Sequence, residues 1–249
     1  MHTLRTTRQA GFLSLALVAL TLAALLSVVG QPSVRAQEAT ATGTATAPGV
    51  VGAAIPTTTC DAQSTATAAA SSAASYTLVS DKSEARYRAQ EELASIGANE
   101  AVGKTNAIIG TILLDAKKTP LACSRFDVDL RTLTSDQVRR DNYLYSNTLE
   151  TGQYPLATFV LTSVEGLNGP LPDGKETTLT LIGNLSVHGV TKLVAWEATV
   201  KLDGDALTGS AKTSFKMPDF NITPPVIGQV VSIEETIGLE VDLNATTAS

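Results

Sequence analysis

The chain has 249 residues, and its 24 acidic and 18 basic side chains give a formal net charge of −6 at pH 7. The first 36 residues hold three arginines and no acid, so their removal makes the net charge −9. A protein with this charge repels polyanions, which makes nucleic acid and anionic membrane surfaces poor partners.

The first predicted element is an export signal. Arg5 and Arg8 precede an apolar run over residues 12–29, and Val34 and Ala36 are the small residues that a signal peptidase needs before its cut. Cleavage of residues 1–36 would release the rest of the chain into the periplasm, the exterior of the cell envelope or the medium. The alternative is an uncleaved anchor, because a run of about 18 residues is also near the shortest that spans a bilayer. That anchor would be the only membrane contact of the chain.

Residues 37–75 are nearly all Ala, Thr, Ser, Gly and Pro. A segment so poor in large apolar side chains buries too little surface to offset the entropy of ordering, so we predict a disordered spacer. Cys60 lies in this segment, and the second cysteine of the chain is Cys123. An even count in an oxidising compartment allows a disulfide between them, and two unpaired thiols are the alternative.

From residue 76 to residue 249 the chain alternates between apolar and polar side chains, which predicts half-buried strands in one domain of ordinary size. The predicted strands cover residues 76–88, 107–115, 125–132, 157–164, 177–187, 193–202, 206–217 and 230–244. Turn-forming pairs lie between several of them, at Asn168-Gly169, Asp173-Gly174, His188-Gly189 and Asp203-Gly204. Such tight turns join antiparallel neighbours, so the pattern predicts an antiparallel meander.

One stretch breaks the strand pattern. Thr134 and Gln137 have the spacing of a capping box, which predicts a helix that begins at Thr134 and continues toward Leu149, before Pro155 ends it. A sheet of about eight strands avoids exposed edges by closing on itself, so we predict a closed all-β antiparallel barrel with this one short helix near its mouth. A two-layer sandwich is the alternative.

Six pieces of the domain carry a family resemblance. They are Ser83-Glu84-Ala85-Arg86-Tyr87, the segment from Val102-Gly103-Lys104-Thr105 to Gly110-Thr111-Ile112, Leu133-Thr134-Ser135-Asp136 with Arg139-Arg140-Asp141, Tyr154-Pro155-Leu156-Ala157-Thr158-Phe159, Gly183-Asn184-Leu185-Ser186-Val187-His188-Gly189-Val190-Thr191, and Asp219-Phe220-Asn221-Ile222-Thr223-Pro224-Pro225. In this order and at these distances, over nearly all of residues 76–249, they resemble the YceI-like, polyisoprenoid-binding family. These residues are a signature of the fold rather than of catalysis.

The resemblance implies a lipocalin-like antiparallel barrel whose apolar tunnel takes a long isoprenoid or a related amphiphile. It also implies a location in the periplasm or outside the cell and, because barrels of the family often pair, a homodimer. Asn221 departs from the family pattern, since many relatives have Gly there. Asn tolerates the left-handed backbone conformation, so we expect the fold to be unchanged.

Alternation places large apolar side chains on one face of several predicted strands. The candidates for lining a tunnel are Phe159, Leu161, Leu181, Leu185, Trp196, Phe215 and Phe220. From the residues alone, a dry self-packed core is the better interpretation, and the resemblance is what favours a tunnel. A hydrocarbon tail needs no charged contact there, because each buried methylene is worth about 0.8 kcal/mol.

Three polar side chains are weaker candidates for binding a ligand head group at the barrel mouth. His188 is the only histidine after residue 36, and its alternative role is to fix a turn. Arg139 and Tyr143 lie in or beside a charged cluster whose alternative role is a solvated helix face. No metal or other cofactor is predicted, because one histidine and two distant cysteines do not make a metal site.

The sequence therefore predicts an exported lipid-binding protein that holds an isoprenoid-type or fatty amphiphile, and not an enzyme. The alternative is a structural or stress-related envelope protein whose barrel is filled by its own side chains and whose surface recruits a protein partner. A hydrolase or isomerase that acts on a lipid is a third hypothesis and would depend on His188. No nucleophile-elbow motif supports it, so no catalytic residue is predicted.

Overall fold

The computed structural model describes residues 48–53, 60, 62–225, 228 and 230–247. The predicted export signal, residues 1–36, lies outside these residues, and so do residues 37–47 of the predicted spacer. Within the described ranges, no helix is long and apolar enough to cross a membrane.

Eleven strands and two α-helices occur in the described part of the chain. In chain order they are β1 (Gly49–Ala53), α1 (Ala62–Ser71), β2 (Ala74–Leu78), β3 (Glu84–Leu93), β4 (Gly97–Thr105), β5 (Ile108–Leu114), β6 (Arg125–Asp129), α2 (Val138–Tyr143), β7 (Leu156–Glu165), β8 (Glu176–Val187), β9 (Val190–Asp203), β10 (Ala206–Lys216) and β11 (Val230–Thr247). Three 3-10 turns, Ser80–Lys82, Leu130–Thr132 and Met217–Phe220, follow β2, β6 and β10. A π-helical turn, Leu144–Thr148, continues α2.

Eight antiparallel strands close into a barrel in the order β2, β5, β6, β7, β8, β9, β10, β11 and back to β2. The long strand β11 closes this ring because its residues 245–247 pair with β2, whereas its residues 230–242 pair with β3. The β3–β4 hairpin thereby extends the wall beside β11. The predicted closed antiparallel barrel is confirmed, and the two-layer sandwich is excluded.

The strand predicted over residues 76–88 is two strands, β2 and β3, because the chain turns a corner between them. The buried hydroxyl of Ser83 fixes this corner: it donates to the carbonyl of Val79 at 3.0 Å and accepts the N–H of Asn244 at 3.0 Å. The side-chain amide of Asn244 also donates to the carbonyl of Lys82. These bonds tie the corner to β11, the strand that closes the barrel.

β4 is a strand that the apolar pattern does not predict. Its residues pair with β3 in unbroken antiparallel register, from Ala85 with Thr105 to Leu93 with Gly97. The other predicted strands are observed, with bounds that differ by a few residues. Asn221 has a left-handed backbone with φ of 56°, as expected from its tolerance of that conformation.

Helix α2 begins four residues later than predicted. Thr134 does not cap a helix, because its backbone forms an antiparallel bridge with Lys104, with both N–O distances at 2.9 Å. The buried carboxylate of Asp141 instead accepts the N–H of Ser135 at 3.1 Å and its hydroxyl at 2.6 Å. The capping-box prediction was wrong because two backbone hydrogen bonds to the neighbouring strand hold Thr134 in an extended conformation.

The prediction of a disordered spacer over residues 37–75 needs correction where the structure describes this interval. β1 pairs with residues 192–195 of β9, just beyond the stretch of β9 that pairs with β10. Cys60 forms a disulfide with Cys123, with 5.4 Å between the Cα atoms, and α1 follows. Backbone pairing with an available strand edge and a covalent bond supply here the order that apolar burial does not.

A network of ion pairs links β3 to β11. The guanidinium of Arg86 contacts Glu84 at 2.7 Å, Glu240 at 3.1 Å and Asp242 at 2.6 Å. Arg88 contacts Glu240 at 2.8 Å. Since β11 is the barrel strand that pairs with β3, these ion pairs reinforce the attachment of the β3–β4 hairpin.

Acid is expected to destabilise the protein through these carboxylates. Hydrogen bonds from Arg86 hold the pKa of Glu84 below its ordinary 4.5, and those from Arg88 and Arg86 lower the pKa of Glu240. Their stabilisation is complete above the ordinary pKa and is lost as the pH falls through the lowered folded-state values. The free energy of unfolding, measured with urea at about pH 6 and at about pH 3, should therefore fall less with acid in Arg86→Met than in the parent.

The control for this prediction is Lys175→Met, which changes an exposed side chain and should keep the parent's pH dependence. An unchanged pH dependence in Arg86→Met would contradict the prediction.

Candidate functional site

Two neighbouring cavities lie among the described residues of the barrel. The larger has a volume of about 500 Å³ and the smaller about 130 Å³. The larger volume falls in the range of about 300–1,000 Å³ that is usual for small-molecule sites. Five side chains line both cavities, and we call them the partition: Tyr87, Leu130, Leu133, Ala157 and Leu239.

The larger cavity is mostly apolar and has an opening beside the start of α2. The hairpin β3–β4 contributes Ala89 and Ala101 to its wall, and β10 and β11 contribute Phe215 and Ile237. The segment 130–149 covers one side with Leu130, Leu133, Leu144 and Leu149. Exposed residues that also line the cavity mark its mouth, namely Ile96, Asp136, Gln137 and Arg139. The predicted helix near a barrel mouth is therefore observed at this opening.

A buried ion pair lies just inside the mouth. Arg140 contacts Glu91 at 2.8 Å, and the two side chains are only 13% and 3% exposed. Asn99 donates to the same carboxylate oxygen at 2.8 Å, and Asp136 accepts from Arg140 at 2.6 Å. The buried charges are thus matched within the protein, and a ligand needs to supply no charge to balance them.

The phenol of Tyr87 lies close to this ion pair. Burial raises the pKa of the phenol, against the opposing effect of the positive charge on Arg140. The hydroxyl is therefore neutral at physiological pH. Its oxygen is buried and has no hydrogen-bond partner among the described residues.

The smaller cavity has an aromatic wall. Phe159 lies between Phe126 and Trp196, with ring centroids 6.4 Å and 5.8 Å apart. A Cβ atom at Gly183 would lie 2.5 Å from the Phe159 ring, so only glycine leaves the ring enough space. The charged residues at this cavity, Arg86 and Glu240, are paired with each other. The remaining lining is apolar apart from the Tyr87 hydroxyl and the indole N–H of Trp196, both of which are buried without a hydrogen-bond partner among the described residues.

Five of the seven predicted lining residues line one of these cavities. Phe159, Leu181, Leu185 and Trp196 line the smaller cavity, and Phe215 lines the larger one. Leu161 and Phe220 line neither of the two and are 3% and 0% exposed. Phe220 lies in the 3-10 turn after β10 and packs edge-on against Phe215 at 4.6 Å, so it is a core residue. Leu161 belongs to the same apolar cluster.

The three polar candidates have different positions. Arg139 is exposed at the mouth of the larger cavity, whereas Tyr143 and His188 line neither cavity. His188 and Gly189, with φ of 50° and 74°, form the turn between β8 and β9. The His188 ring contacts the Glu150 carboxylate at 2.9 Å and the Phe220 carbonyl at 3.3 Å. The structure therefore supports the role of His188 in fixing a turn.

Sequence reasoning missed Glu91 and Asn99 just inside the mouth, and it considered Arg140 only as part of the charged cluster beside the helix start. Glu91, Asn99 and Arg140 come from β3, β4 and α2, and no spacing rule brings three such separate segments together. One local signal was available, because Asp136 and Arg140 are four residues apart, which is the spacing of a helical ion pair. Within the described ranges, no group of three or more His, Cys, Asp or Glu residues could hold a metal ion.

Comparison with known proteins agrees with this architecture. Residues 76–245, more than half of the chain, match the family model of the YceI-like domain. The UPF0312 protein of Shewanella baltica strain OS155 is 30% identical over 160 residues, which cover 61% of this chain and 79% of the relative. The UPF0312 protein of Shewanella sp. strain ANA-3 is 29% identical over the same shares.

Two solved structures share the fold. A polyisoprenoid binding domain from Saccharophagus degradans, implicated in plant cell wall breakdown, has a TM-score of 0.53 at 14% identity and covers 70% of this chain and 98% of its own. Burkholderia cenocepacia BcnA has a TM-score of 0.54 at 17% identity and covers 68% and 99%. The match to the family model, together with these relatives, shows that the chain belongs to the YceI-like domain family.

Proposed function

We propose that this protein is an exported lipid carrier that holds a neutral isoprenoid-type or other long-chain amphiphile inside its barrel. The observation that carries the proposal is the larger cavity, about 500 Å³ of mostly apolar space between the barrel, the β3–β4 hairpin and the segment 130–149. This volume argues against the alternative in which the barrel is filled by its own side chains. A polyisoprenoid binding domain of the same fold supports the choice of ligand class.

The distribution of polar groups suggests how the ligand is oriented. Charged and amide side chains meet the larger cavity around its mouth, at Glu91, Asn99, Asp136, Gln137, Arg139 and Arg140. Apart from the hydroxyls of Thr148 and Tyr87, the rest of the lining is apolar, so the polar head lies at the mouth and the hydrocarbon tail points toward the partition. Because Glu91 and Arg140 neutralise each other, a neutral head group fits this mouth better than a charged one.

Export and the absence of catalysis are parts of the same proposal. The segment 1–36 has the pattern of a signal, and the disulfide between Cys60 and Cys123 suits an oxidising compartment outside the cytoplasm. Hydrogen bonds of 2.6–2.8 Å tie Glu91, Asn99, Asp136 and Arg140 to one another, which suits binding rather than proton transfer. A homodimer stays a prediction of the resemblance, and sedimentation velocity would test it.

Mass spectrometry provides the direct test of lipid binding. Protein secreted by its native host is purified without detergent, its intact mass is measured under native conditions, and its organic extract is analysed. We expect one equivalent of a neutral lipid with a long hydrocarbon chain. If the extract holds no stoichiometric lipid, and added farnesol or geranylgeraniol neither binds nor raises the melting temperature, the proposal fails.

Filling the larger cavity should weaken binding. Ala101 is 3% exposed and lines this cavity, so the ring in Ala101→Phe would occupy space that the tail needs. Loss of two methylene contacts, each worth about 0.8 kcal/mol, corresponds to roughly tenfold weaker binding. The Kd for geranylgeraniol, measured by displacement of a fluorescent apolar probe, checks this. The matched control is Ile109→Phe at a position that is 63% exposed, and equal affinities in the two variants would contradict the prediction.

A further inference from the structure

The partition contains one aromatic residue, Tyr87, among three leucines and an alanine. Tyr87 belongs to β3 and pairs with Gly103 of β4. A Cβ atom at Gly103 would lie 2.1 Å from Cε1 of the tyrosine ring, so the ring rests against the bare backbone of the neighbouring strand. In this position the ring borders the larger cavity as well as the smaller one.

No hydrogen bond to a described residue holds the Tyr87 hydroxyl, although the oxygen is buried. Buried hydroxyl groups usually have a partner, because an unsatisfied one is costly. Hydrogen bonding within the protein therefore does not account for a tyrosine at this position. The tyrosine is instead accounted for by the size of its ring and by the position of the ring between the two cavities.

On the basis of the proposed function, we infer that Tyr87 sets the length of the lipid chain that the barrel accepts. The tail enters from the mouth and fills the larger cavity until its end meets the Tyr87 ring. The smaller cavity beyond, with its apolar wall of Phe126, Phe159 and Trp196, is additional space that a longer chain gains when the ring is removed. Tyr87 is thus a residue that determines specificity by chain length.

A series of isoprenoid alcohols tests this inference. Dissociation constants of farnesol, geranylgeraniol, geranylfarnesol and solanesol are measured by displacement of a fluorescent apolar probe from the full mature chain. In the parent, affinity should rise with chain length and then level off. In Tyr87→Ala it should continue to rise to a longer alcohol, with a gain of about tenfold for each two methylenes newly buried.

Two controls separate chain-length selection from general loosening of the core. Tyr87→Phe keeps the ring and should level off where the parent does. Leu161→Ala removes buried bulk that lines neither cavity and should also keep the parent's limit, even with a lower melting temperature. If Tyr87→Ala does not fold, Tyr87→Leu replaces it, because leucine already occupies three of the five partition positions.

The outcomes distinguish the inference from the proposed function. The same length limit in the parent and in the folded variant that lacks the ring overturns the role of Tyr87 and leaves lipid binding intact. A shifted limit in Tyr87→Phe or Leu161→Ala also overturns it, because the ring would then not be the cause. Failure of the parent to bind any of the alcohols overturns the proposed function itself.

Discussion

Replacement of Arg140 by alanine is expected to lower the free energy of unfolding by about 3–5 kcal/mol. The change leaves the carboxylate of Glu91, which is 3% exposed, with the hydrogen bond from Asn99 but without a counterion. A buried charge without a counterion costs far more than a lost surface contact. The same change frees α2 from β3, and urea unfolding followed by circular dichroism measures the loss.

Two further variants test whether burial is the cause of this effect. Arg131→Ala breaks a pair with Asp129 at a similar distance, 2.7 Å, but Arg131 is 59% exposed. Its loss of stability should be far smaller than that of Arg140→Ala, because solvent screens an exposed pair. The double variant Glu91→Leu with Arg140→Met removes both charges and should recover most of the stability. If Arg140→Ala lowers the free energy of unfolding no more than Arg131→Ala does, burial of the pair is not the cause of the effect.

Removal of the disulfide is expected to have the second largest effect. Cys60 and Cys123 are 63 residues apart in sequence, so their bond restricts a long loop in the unfolded chain. The double variant Cys60→Ser with Cys123→Ser should lose about 2–4 kcal/mol. The backbone of Cys123 is left-handed, with φ of 68°, and a serine at this position has to adopt the same conformation. The parent and the double variant therefore share this backbone strain.

Chemical reduction provides the control for the disulfide. A thiol reductant should lower the melting temperature of the parent toward that of the double variant and should leave the double variant unchanged. Equal stability of parent and double variant under oxidising conditions would contradict the prediction. Limited proteolysis adds a structural readout, because loss of the bond should make the chain around Cys60 easier to cleave.

The sequence predicted most of the barrel because its strands alternate between apolar and polar side chains. β8 and β9 show this well, with Leu179, Leu185 and Trp196 buried at the predicted positions. β4 lacks this signal, since Gly97, Ala98 and Asn99 are small or polar, and the strand exists through its pairing with β3. Helix α2 was misplaced because Thr134 bonds to Lys104, thirty residues away, and a local capping rule does not include such contacts.

The candidate site was predictable only in its apolar part. Strand alternation identifies inward side chains such as Phe159, but it does not reveal whether they meet across the interior or leave a space. Tyr87 shows most clearly what the sequence alone does not predict. Its sequence position predicts only that it faces one side of a strand, whereas its place in the partition depends on Gly103 and on residues of the turn after β6, of β7 and of β11.

The barrel encloses a cavity only when β11 pairs with its neighbouring strands. This strand joins β2, β3 and β10, and its contacts with β2 and β3 link positions more than one hundred residues apart in the chain. Such non-local pairing forms slowly, and the wall around Ile237 and Leu239 does not exist before it. Without β11 the remaining strands do not enclose this space, so a guest molecule can be held only once β11 has paired with both β10 and β2.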